Sequence, residues 1–358
     1  MNGFPLTEWA FLGMRWLYQQ LESLVGEGSA AVFLTVLLAT LMIKALTLFS
    51  DVKSRKSSYK MQQVQPEIEK LKKKYSNDPQ KLNTEQRKLM KERGVSMFGG
   101  CLPMLFTLPL FFIFISAFRS WSNEQALRLV VEAEADSNKG TTTAVETMES
   151  YQFLWINNVW RPDNFMDSNT PVMSAETFYA TYAGNIDNYF YTSEDPQLKE
   201  TLTKWGFFDI PLATNTSSGG CACTGGGSVS DTSDPSYTEK YNTFVNNYNE
   251  KMAPVIAVNE GYNNGVGILA VIAGITTFLS QWIMQRNQPK QADGKQQGKF
   301  MMYLFPAMTM FFCWSYDSTF SLYWIFSNVI ATAIGLVLNS WFKKKYGSTQ
   351  ENRVEVIQ

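Results

Sequence analysis

Long apolar stretches alternate with polar segments along this chain of 358 residues. A helix needs about 20 predominantly apolar residues to cross a bilayer, because the hydrocarbon core is about 30 Å thick. Stretches of about that length lie at roughly Ser29–Ser50, Phe98–Arg119, Gly265–Met284, Phe300–Tyr316 and Phe320–Trp341. We therefore predict an all-α polytopic membrane protein with five transmembrane helices.

The charge of the intervening segments predicts their orientation. Basic residues outnumber acidic ones by 13 to 6 between Asp51 and Arg93, whereas acidic residues prevail by 19 to 7 between Ser122 and Tyr262. The positive-inside rule places the first segment in the cytoplasm and the second outside, with the N-terminus outside and the C-terminus inside. The predicted parts are an external amphipathic helix (1–28), the first transmembrane helix (29–50), a cytoplasmic helical hairpin (51–96), the second transmembrane helix (97–121), an extracytoplasmic loop or small domain (122–262), the third to fifth transmembrane helices (263–342) and a cytoplasmic tail (343–358).

The opening residues lack the pattern of a signal peptide, which would have a continuous apolar core and a small-residue cleavage site. Instead they predict a helix with one apolar face and an opposite face of Glu8, Arg15, Gln19 and Glu22. The apolar face consists of Trp9, Leu12, Trp16, Leu17, Leu21 and Leu24. Such a helix suits the membrane interface; the alternative is a helix packed on the external segment.

The cytoplasmic segment has the pattern of a helical hairpin. Apolar residues follow a 3-4-3-4 spacing from Met61 to Tyr75, the turn signal Ser-Asn-Asp-Pro ends at Pro79, and Leu82 and Leu89 face inward on a second helix. The outer faces are basic, which suits either orientation and lipid contact or docking of a ribosome, nascent chain or targeting factor. The candidate docking residues are Lys60, Gln65, Pro66, Lys72, Lys73 and Lys74.

The external segment combines aromatic stretches with a Gly- and Ser-rich middle around Cys221 and Cys223. The aromatic stretches could bury a small core, and the Gly- and Ser-rich part is typical of a loop. The acidic balance suggests a solvated appendage that the predicted membrane core does not require.

Lys44 is the one charged residue in the first apolar stretch. An ammonium at the centre of a spanning helix costs about 2.5–3.5 kcal/mol, so it either snorkels to the headgroups or faces a wet cavity. None of the five apolar stretches contains Asp or Glu, and several contain hydroxyls and amides, which favours a hydrated pocket. The candidate groove residues are Lys44, Thr40, Thr47, Thr277, Gln281 and Asn328.

Missing residue types exclude several kinds of chemistry. The chain has no His, so a Ser-His protease or a His relay is excluded, and it has no phosphate-binding loop pattern for nucleotides. No spanning stretch carries Asp for an intramembrane aspartyl protease, and five unlike spans do not suggest an inverted-repeat transporter. We therefore expect no catalytic residues, no metal and no cofactor. Cys101 and Cys313 are expected to be packing residues.

Several motifs, in order, resemble the YidC/Oxa-type membrane protein insertases. They are the basic residue in the first span, Lys60-Met61, Gln65-Pro66-Glu67, the sequences G-G-C-L-P-M-L-F-T-L-P-L-F and F-L-W-I-N-N, then F-M-M-Y-L-F-P-A-M-T-M-F-F and L-Y-W-I-F-S-N. The resemblance covers roughly Ser29–Trp121 and Gly261–Phe342. It implies five helices around a hydrophilic groove that opens to the cytoplasm and to lipid and is closed outside.

The resemblance places Lys44 at the position of the family's groove arginine. Lys keeps the positive charge but lacks the planar fork of Arg, and Phe49 stands where family members often have proline. The external segment is also longer than is usual in the family.

The predicted function is a non-enzymatic insertase and chaperone in a bacterial inner or plasma membrane. It would take hydrophilic segments of nascent membrane proteins into the groove and release their transmembrane helices into the lipid, alone or with the Sec translocon. Its partners would be nascent membrane proteins, the Sec translocon, a ribosome or targeting factor and the lipid bilayer, without direct nucleic-acid binding. The alternatives are an assembly scaffold without translocation and a small-solute channel.

Overall fold

The computed structural model describes residues 5–94, 102–166, 170–183, 196–211, 235–286 and 295–354. Throughout these residues the regular structure is helical, which confirms the all-α prediction. The helices are α1 (Pro5–Val25), α2 (Ser29–Lys74), α3 (Pro79–Glu92), α4 (Leu102–Lys139), α5 (Thr143–Ser150), α6 (Ala175–Tyr182), α7 (Pro196–Lys204), α8 (Tyr237–Ala257), α9 (Ile268–Arg286), α10 (Lys295–Ser315) and α11 (Ser318–Val354).

In the described part of the chain, two helical segments are long and apolar enough to cross a membrane, Ser29–Ser57 and Ser318–Phe342. Two shorter apolar segments, Ile268–Met284 and Met302–Ser315, coincide with the predicted third and fourth spans. The remaining predicted span, Phe98–Arg119, begins outside the described residues. The count of five transmembrane helices therefore stays a prediction.

Two helices run past the boundaries drawn from the apolar pattern. Helix α2 continues through Pro66 to Lys74, so the first predicted span and the first arm of the hairpin are one helix of 46 residues. Helix α4 has 38 residues and extends 20 residues beyond Arg119 into the segment predicted as external. Neither junction has a turn signal that would end a helix.

The hairpin turn itself lies where the sequence predicts it. Asp78 caps α3, because its Oδ1 accepts a hydrogen bond of 3.0 Å from the backbone N–H of Lys81, and Pro79 occupies the first helical turn. The apolar seam consists of buried Val64, Ile68 and Met90, with Met61 and Leu89 packed against them. Four of these five residues belong to the seam predicted from the spacing, and Met90 is an addition.

The chain folds as two compact units, each of which collects separate stretches of sequence. The first unit contains Met1–Thr35, Phe114–Ile268 and Cys313–Phe320, and the second contains Val36–Ile113, Leu269–Phe312 and Ser321–Gln358. The first unit therefore holds most of the predicted external segment. The second holds the hairpin and most of the apolar helices.

An aromatic core fills the first unit. Phe178, Phe244 and Tyr248 lie fully buried with ring centroids 5.2 to 6.3 Å apart, and Trp205 meets Tyr248 edge to face. Edge-to-face and tilted pairs of this kind add to the burial of apolar area. The aromatic stretches thus form a core, and the segment is a folded part of the protein rather than only a solvated appendage. The Gly- and Ser-rich middle, with Cys221 and Cys223, lies outside the described residues.

Helix α1 packs on this unit with a face that the sequence analysis did not single out. Phe11, Met14 and Tyr18 are buried, and the Tyr18 ring meets Trp121 edge to face at 5.4 Å. Arg15 also pairs with Glu124 at 3.2 Å. The predicted apolar face remains exposed, with Trp9 74% exposed. The helix therefore packs on the unit with one face and exposes apolar side chains on another. A role at the membrane interface stays a prediction.

A clamp of polar side chains ties the segment 151–164 to two distant loops of the first unit. Asn264 is fully buried; its Nδ2 donates to the carbonyl of Asn158 at 2.9 Å, and its Oδ1 accepts from the N–H of Asn158 at 2.8 Å. Asp163, also fully buried, accepts from the N–H groups of Val266 and Gly267 at 2.9 and 3.0 Å. We call this set of bonds the loop clamp.

Further bonds join the same segment to the connection between α10 and α11. The N–H and the hydroxyl of Ser318 both donate to the Arg161 carbonyl, at 3.1 and 2.7 Å. The Nδ2 of Asn164 donates to the Trp314 carbonyl at 2.9 Å. The F-L-W-I-N-N motif and the residues after it therefore anchor the start of α9 and the α10–α11 turn.

We expect Asp317→Asn to stabilise the protein near neutral pH. Burial raises the pKa of the Asp317 carboxyl to about 6, although the Ser122 hydroxyl and the charges of Arg161 and Arg119 oppose the rise. Because the folded-state pKa lies above the unfolded value, this carboxyl favours the fold when protonated and loses that contribution as the pH rises through about 6. The amide should raise the free energy of unfolding by about 1–3 kcal/mol at pH about 8 and by little at pH about 4.

Thermal unfolding of the detergent-solubilised protein at both pH values measures this effect. Glu149→Gln, a neutralisation of an exposed carboxyl in the same unit, is the matched control and should change neither midpoint. An Asn variant that unfolds earlier than the unmodified protein at pH about 8 would contradict the prediction.

Candidate functional site

A polar stripe runs along one face of α2 in the second unit. Thr40, Lys44, Thr47, Asp51 and Arg55 are spaced by 4, 3, 4 and 4 residues, and at 3.6 residues per turn these positions share a face. All five side chains are buried or partly buried. Asp51 and Arg55 were not predicted as site residues, because the predicted span ends at Ser50; the continuing 4-residue spacing was the signal for them.

The apolar side of the same helix turns outward. Leu46 and Phe49 are 83% and 81% exposed, and Met42 is exposed as well. This arrangement reverses that of a soluble protein, in which apolar side chains are the buried ones. It suits a helix with lipid on one side and a polar interior on the other, and it places Phe49, one of the departures from the family pattern, on the outward face.

Arg55 shows what the polar stripe faces. Its Nη1 lies 3.2 Å from the Sδ of Met284 on α9. A side chain at Gly335 on α11 would collide with the guanidinium, whose nitrogens lie 2.6 and 2.8 Å from the position that a Cβ would occupy. The stripe therefore faces α9 and α11. Lys44 lies 11 residues earlier, an angular offset of only about 20°, so it projects to the same side.

The two threonines of the stripe bond to their own helix. Thr40 is fully buried, and its hydroxyl donates to the carbonyl of Val36 at 2.6 Å. The Thr47 hydroxyl donates to the carbonyl of Lys44 at 3.3 Å. Within the described part of the chain the Lys44 ammonium has no hydrogen bond or ion pair, and it is partly buried. Lys44 is thus the member of the stripe that offers a charge to a ligand.

A second polar cluster joins α9, α10 and α11 around Thr277. The Thr277 hydroxyl donates to the Ala273 carbonyl at 2.8 Å and accepts from Asn328 Nδ2 at 2.8 Å and Trp324 Nε1 at 3.1 Å. The Thr309 hydroxyl lies 3.4 Å away. All donor and acceptor positions of Thr277 are therefore filled, so its role is to hold the helices together.

Of the six predicted groove residues, the structure brings Thr277 and Asn328 into direct contact. Gln281 lies one turn after Thr277 and is partly buried. Lys44, Thr40 and Thr47 form a separate set on α2. Sequence reasoning missed Trp324, because an indole in an apolar stretch gives no sign that its N–H binds a threonine, and it missed Thr332, whose hydroxyl lies 2.9 Å from that of Ser280.

The predicted docking residues of the hairpin divide into two kinds. Lys60, Pro66, Lys73 and Lys74 are exposed and Lys72 is partly buried, whereas Gln65 is only 7% exposed. Lys74 also lies over the ring of Tyr75, with Nζ 5.4 Å from its centroid. The exposed lysines present a basic surface, and Gln65 belongs to the packed side of the helix.

Comparison with known proteins identifies the family. Residues 24–214 and 231–345 match the family described as 60Kd inner membrane protein. The chain belongs to that family. The matched ranges include the polar stripe of α2, the Thr277 cluster and the loop clamp, and they confirm the resemblance drawn from the sequence motifs.

Individual relatives in the 60Kd inner membrane protein family carry the name membrane protein insertase YidC. The protein from Clostridium perfringens (strain 13 / Type A) is 33% identical over 154 residues, which are 43% of this chain and 53% of that protein. The protein from Clostridium tetani (strain Massachusetts / E88) is 30% identical over 172 residues, 48% of this chain and 64% of that protein. The protein from Chlorobium luteolum is 22% identical over 307 residues, 86% of this chain and 33% of that protein. The chain thus spans 53% and 64% of the length of the two clostridial relatives.

We expect Thr277→Val to destabilise the second unit. Valine keeps the shape but removes the acceptor for Asn328 and Trp324, and a buried donor left without a partner costs about 1–3 kcal/mol. Thr277→Ser, which keeps the hydroxyl, should unfold close to the unmodified protein. Thermal unfolding in detergent measures both.

The control is Ser340→Ala on α11, which removes an exposed hydroxyl bonded to its own helix. It should leave the midpoint unchanged. Equal midpoints for the Val and Ser variants at Thr277 would show that the cluster does not hold α9 and α11 together.

Proposed function

We propose that this chain is a membrane protein insertase that acts without covalent catalysis. The observation that carries the proposal is the polarity of α2, whose charged and hydroxyl side chains face α9 and α11 while its apolar side chains point outward. A hydrophilic segment of a nascent membrane protein would enter along the polar stripe, with its acidic groups near Lys44. Its apolar helix would then move into lipid.

The energetics of this cycle need no cofactor. Transfer of the apolar substrate helix into lipid releases about 25 cal/mol per Å² of apolar surface. The cost lies in taking the hydrophilic segment out of water, and a basic groove lowers that cost for acidic segments. A membrane potential that is positive outside adds about 2.3 kcal/mol per negative charge per 100 mV.

The location and partners follow from the same proposal. We infer a bacterial inner or plasma membrane location, with the hairpin and the C-terminus in the cytoplasm and the N-terminus and the acidic segment 122–262 outside, from the distribution of charge. Nascent membrane proteins are the substrates, and the Sec translocon and a ribosome or targeting factor are the further partners. The exposed lysines of the hairpin are the surface on which a ribosome or targeting factor would dock.

We expect Lys44→Ala to impair insertion of single-span substrates with acidic translocated tails by about tenfold. An interaction with a charged group contributes about 1.5–3 kcal/mol, and alanine removes the charge from the stripe. Lys44→Arg should retain insertion, since the positive charge remains. The measurement is protease protection of the translocated tail in cells depleted of the unmodified protein.

Lys53→Ala is the matched control for Lys44→Ala. Lys53 is exposed and lies nine residues further along α2, on the opposite face, so its removal changes the charge of the helix without touching the stripe. The alternative role of Lys44, snorkelling to the headgroups, predicts a different result. In that case Lys44→Ala, stably expressed, would insert all substrates normally.

We expect the basic surface of the hairpin to act separately from the stripe. Replacing Lys60, Lys73 and Lys74 by Gln should leave the Val64–Ile68–Met90 seam intact, because these lysines are exposed, and should lower insertion of ribosome-bound substrates several-fold. Protein levels and orientation are measured in parallel.

The matched variant replaces Lys81, Lys88 and Lys91 of α3, which changes the same charge on the other arm of the hairpin. This variant should retain insertion. If both triple variants lose activity equally, the hairpin contributes only its net charge, and the docking role is wrong.

A further inference from the structure

A cavity of about 450 Å³ lies inside the first unit. It is bounded by residues 119–129 of α4, the segment 151–164, α6, α8 and the turn between α10 and α11. Its size falls in the range of about 300–1,000 Å³ that is typical of small-molecule sites. Neither the polar stripe of α2 nor the Thr277 cluster contributes to it.

Aromatic and apolar side chains form much of the wall. Phe178, Tyr248 and Met252 of the buried core line one part, and Leu129 of α4 lines another. Trp160 also lines the cavity, and its Nε1 is buried without a hydrogen-bond partner among the described residues. The cavity therefore suits a ligand with an apolar body.

Two amides on α4 offer donors to the cavity. Asn123 and Gln125 are almost fully buried, and their side-chain oxygens accept hydrogen bonds from Tyr182 at 3.1 Å and Tyr151 at 2.9 Å. Their NH₂ groups have no hydrogen-bond partner in the described part of the chain, and neither nitrogen is completely enclosed by protein atoms. Because both residues line the cavity, these donors have open space there.

Three charged side chains line the same cavity. Arg119 comes from α4, Arg161 from the segment that forms the loop clamp, and Asp317 from the α10–α11 turn. Neither guanidinium forms an ion pair with Asp317 or with another carboxylate among the described residues. The Arg161 carbonyl accepts two bonds from Ser318, which fixes the backbone of Arg161 next to that of Asp317.

We propose that this cavity binds a small zwitterion with an apolar body. Its carboxylate or phosphate lies between Arg119 and Arg161 and accepts from the amides of Asn123 and Gln125, and its primary ammonium lies against Asp317. Guanidinium groups bind carboxylate and phosphate through two parallel hydrogen bonds, which suits the anionic end. The two sources of such a molecule are a free apolar amino acid and the headgroup of phosphatidylethanolamine.

The burial of Asp317 supports a role in binding. The ionised Asp317 carboxylate lowers the stability of the fold, so packing alone gives no reason for an acidic residue at this position. An ammonium ligand in contact with this carboxylate would supply the direct ion pair that Arg119 and Arg161, although near it, do not form. This inference is independent of the insertase proposal, since the test below measures binding and not insertion.

Binding is tested on the purified full chain in detergent by isothermal titration and by thermal shift. The free-amino-acid arm uses leucine, methionine and phenylalanine, and the lipid arm uses dihexanoyl phosphatidylethanolamine. N-acetyl-leucine and dihexanoyl phosphatidylglycerol are the matched probes without an ammonium. We expect saturable binding in one arm, at least tenfold tighter than that of its matched probe.

Asp317→Asn tests the ammonium site and should weaken binding at least tenfold although it does not destabilise the fold. Arg161→Gln and Arg119→Gln should weaken binding of both the zwitterion and its matched probe, since they act on the anionic end. Glu149→Gln and Lys139→Gln neutralise exposed charges of the same unit and should leave the affinity unchanged.

Two results would overturn the proposal. One is the absence of saturable binding in both arms at millimolar probe concentration, which would leave a cavity filled by water. The other is unchanged affinity in Asp317→Asn, which would show that binding does not use the carboxylate.

Discussion

Buried backbone and amide groups at the loop clamp are the constraint on which the first unit depends. Asn158 and Asn264 are separated by 106 residues, and the side-chain amide of Asn264 pairs with both the N–H and the carbonyl of Asn158. A buried polar group without a partner destabilises the fold by more than an ordinary hydrogen bond stabilises it. The fold therefore strongly favours this one pairing over alternatives that leave the groups unpaired. Asp163 adds a carboxylate that accepts from two successive N–H groups at the start of α9.

The clamp also explains a glycine in the sequence. A Cβ at Gly265 would overlap the side chain of Asp163, so the loop can approach the carboxylate only without one. Because the same segment binds the α10–α11 turn through Arg161 and Asn164, the ends of three apolar helices are tied to one short stretch of chain. That stretch contains the F-L-W-I-N-N motif. The motif stands out in the sequence, but its role in joining these helix ends is visible only in the structure.

The helices could be predicted from the sequence because apolar length and 3-4 spacing are local signals. The turn before α3 could also be predicted, since Asp78 and Pro79 are local signals for the start of a helix. The unbroken course of α2 from the first span into the first arm of the hairpin could not, because the apolar stretch ends at Ser50 whereas the helix continues. Within that arm, the packing of Val64 and Ile68 holds the helix through Pro66, which alone would weaken it. The aromatic core of the first unit was underestimated for a related reason. Net acidity and a Gly-rich middle describe the composition of a segment, whereas burial depends on which residues meet across 40 to 70 positions.

The residues of the candidate site likewise divide into those that a local sequence signal predicts and those that only tertiary contacts reveal. Lys44 stands out in an apolar stretch, and the hydroxyl and amide residues Thr277 and Asn328 stand out in theirs. Asp51 and Arg55 do not, because outside the span they look like ordinary members of a basic segment. Their place on the stripe follows only once α2 is known to continue without a break. Trp324 is similar, since its hydrogen bond to Thr277 depends on the pairing of α9 with α11.

The three charged side chains of the stripe have different surroundings. Because of this difference, Lys44 is the residue best placed to bind an acidic group. Arg55 is held between Met284 and the backbone of α11 at Gly335, so its guanidinium positions α2 against its neighbours. Asp51 lies one turn from Arg55 and two turns from Lys44, and its negative charge opposes acidic ligands at that end. Lys44 has apolar exposed neighbours on one side, two self-bonded threonines above and below, and no described partner. A charge in this setting is weakly screened, so an acidic group that reaches it gains more than it would at the exposed lysines of the hairpin. The stripe is therefore graded, from a packed guanidinium at Arg55 to an available ammonium at Lys44.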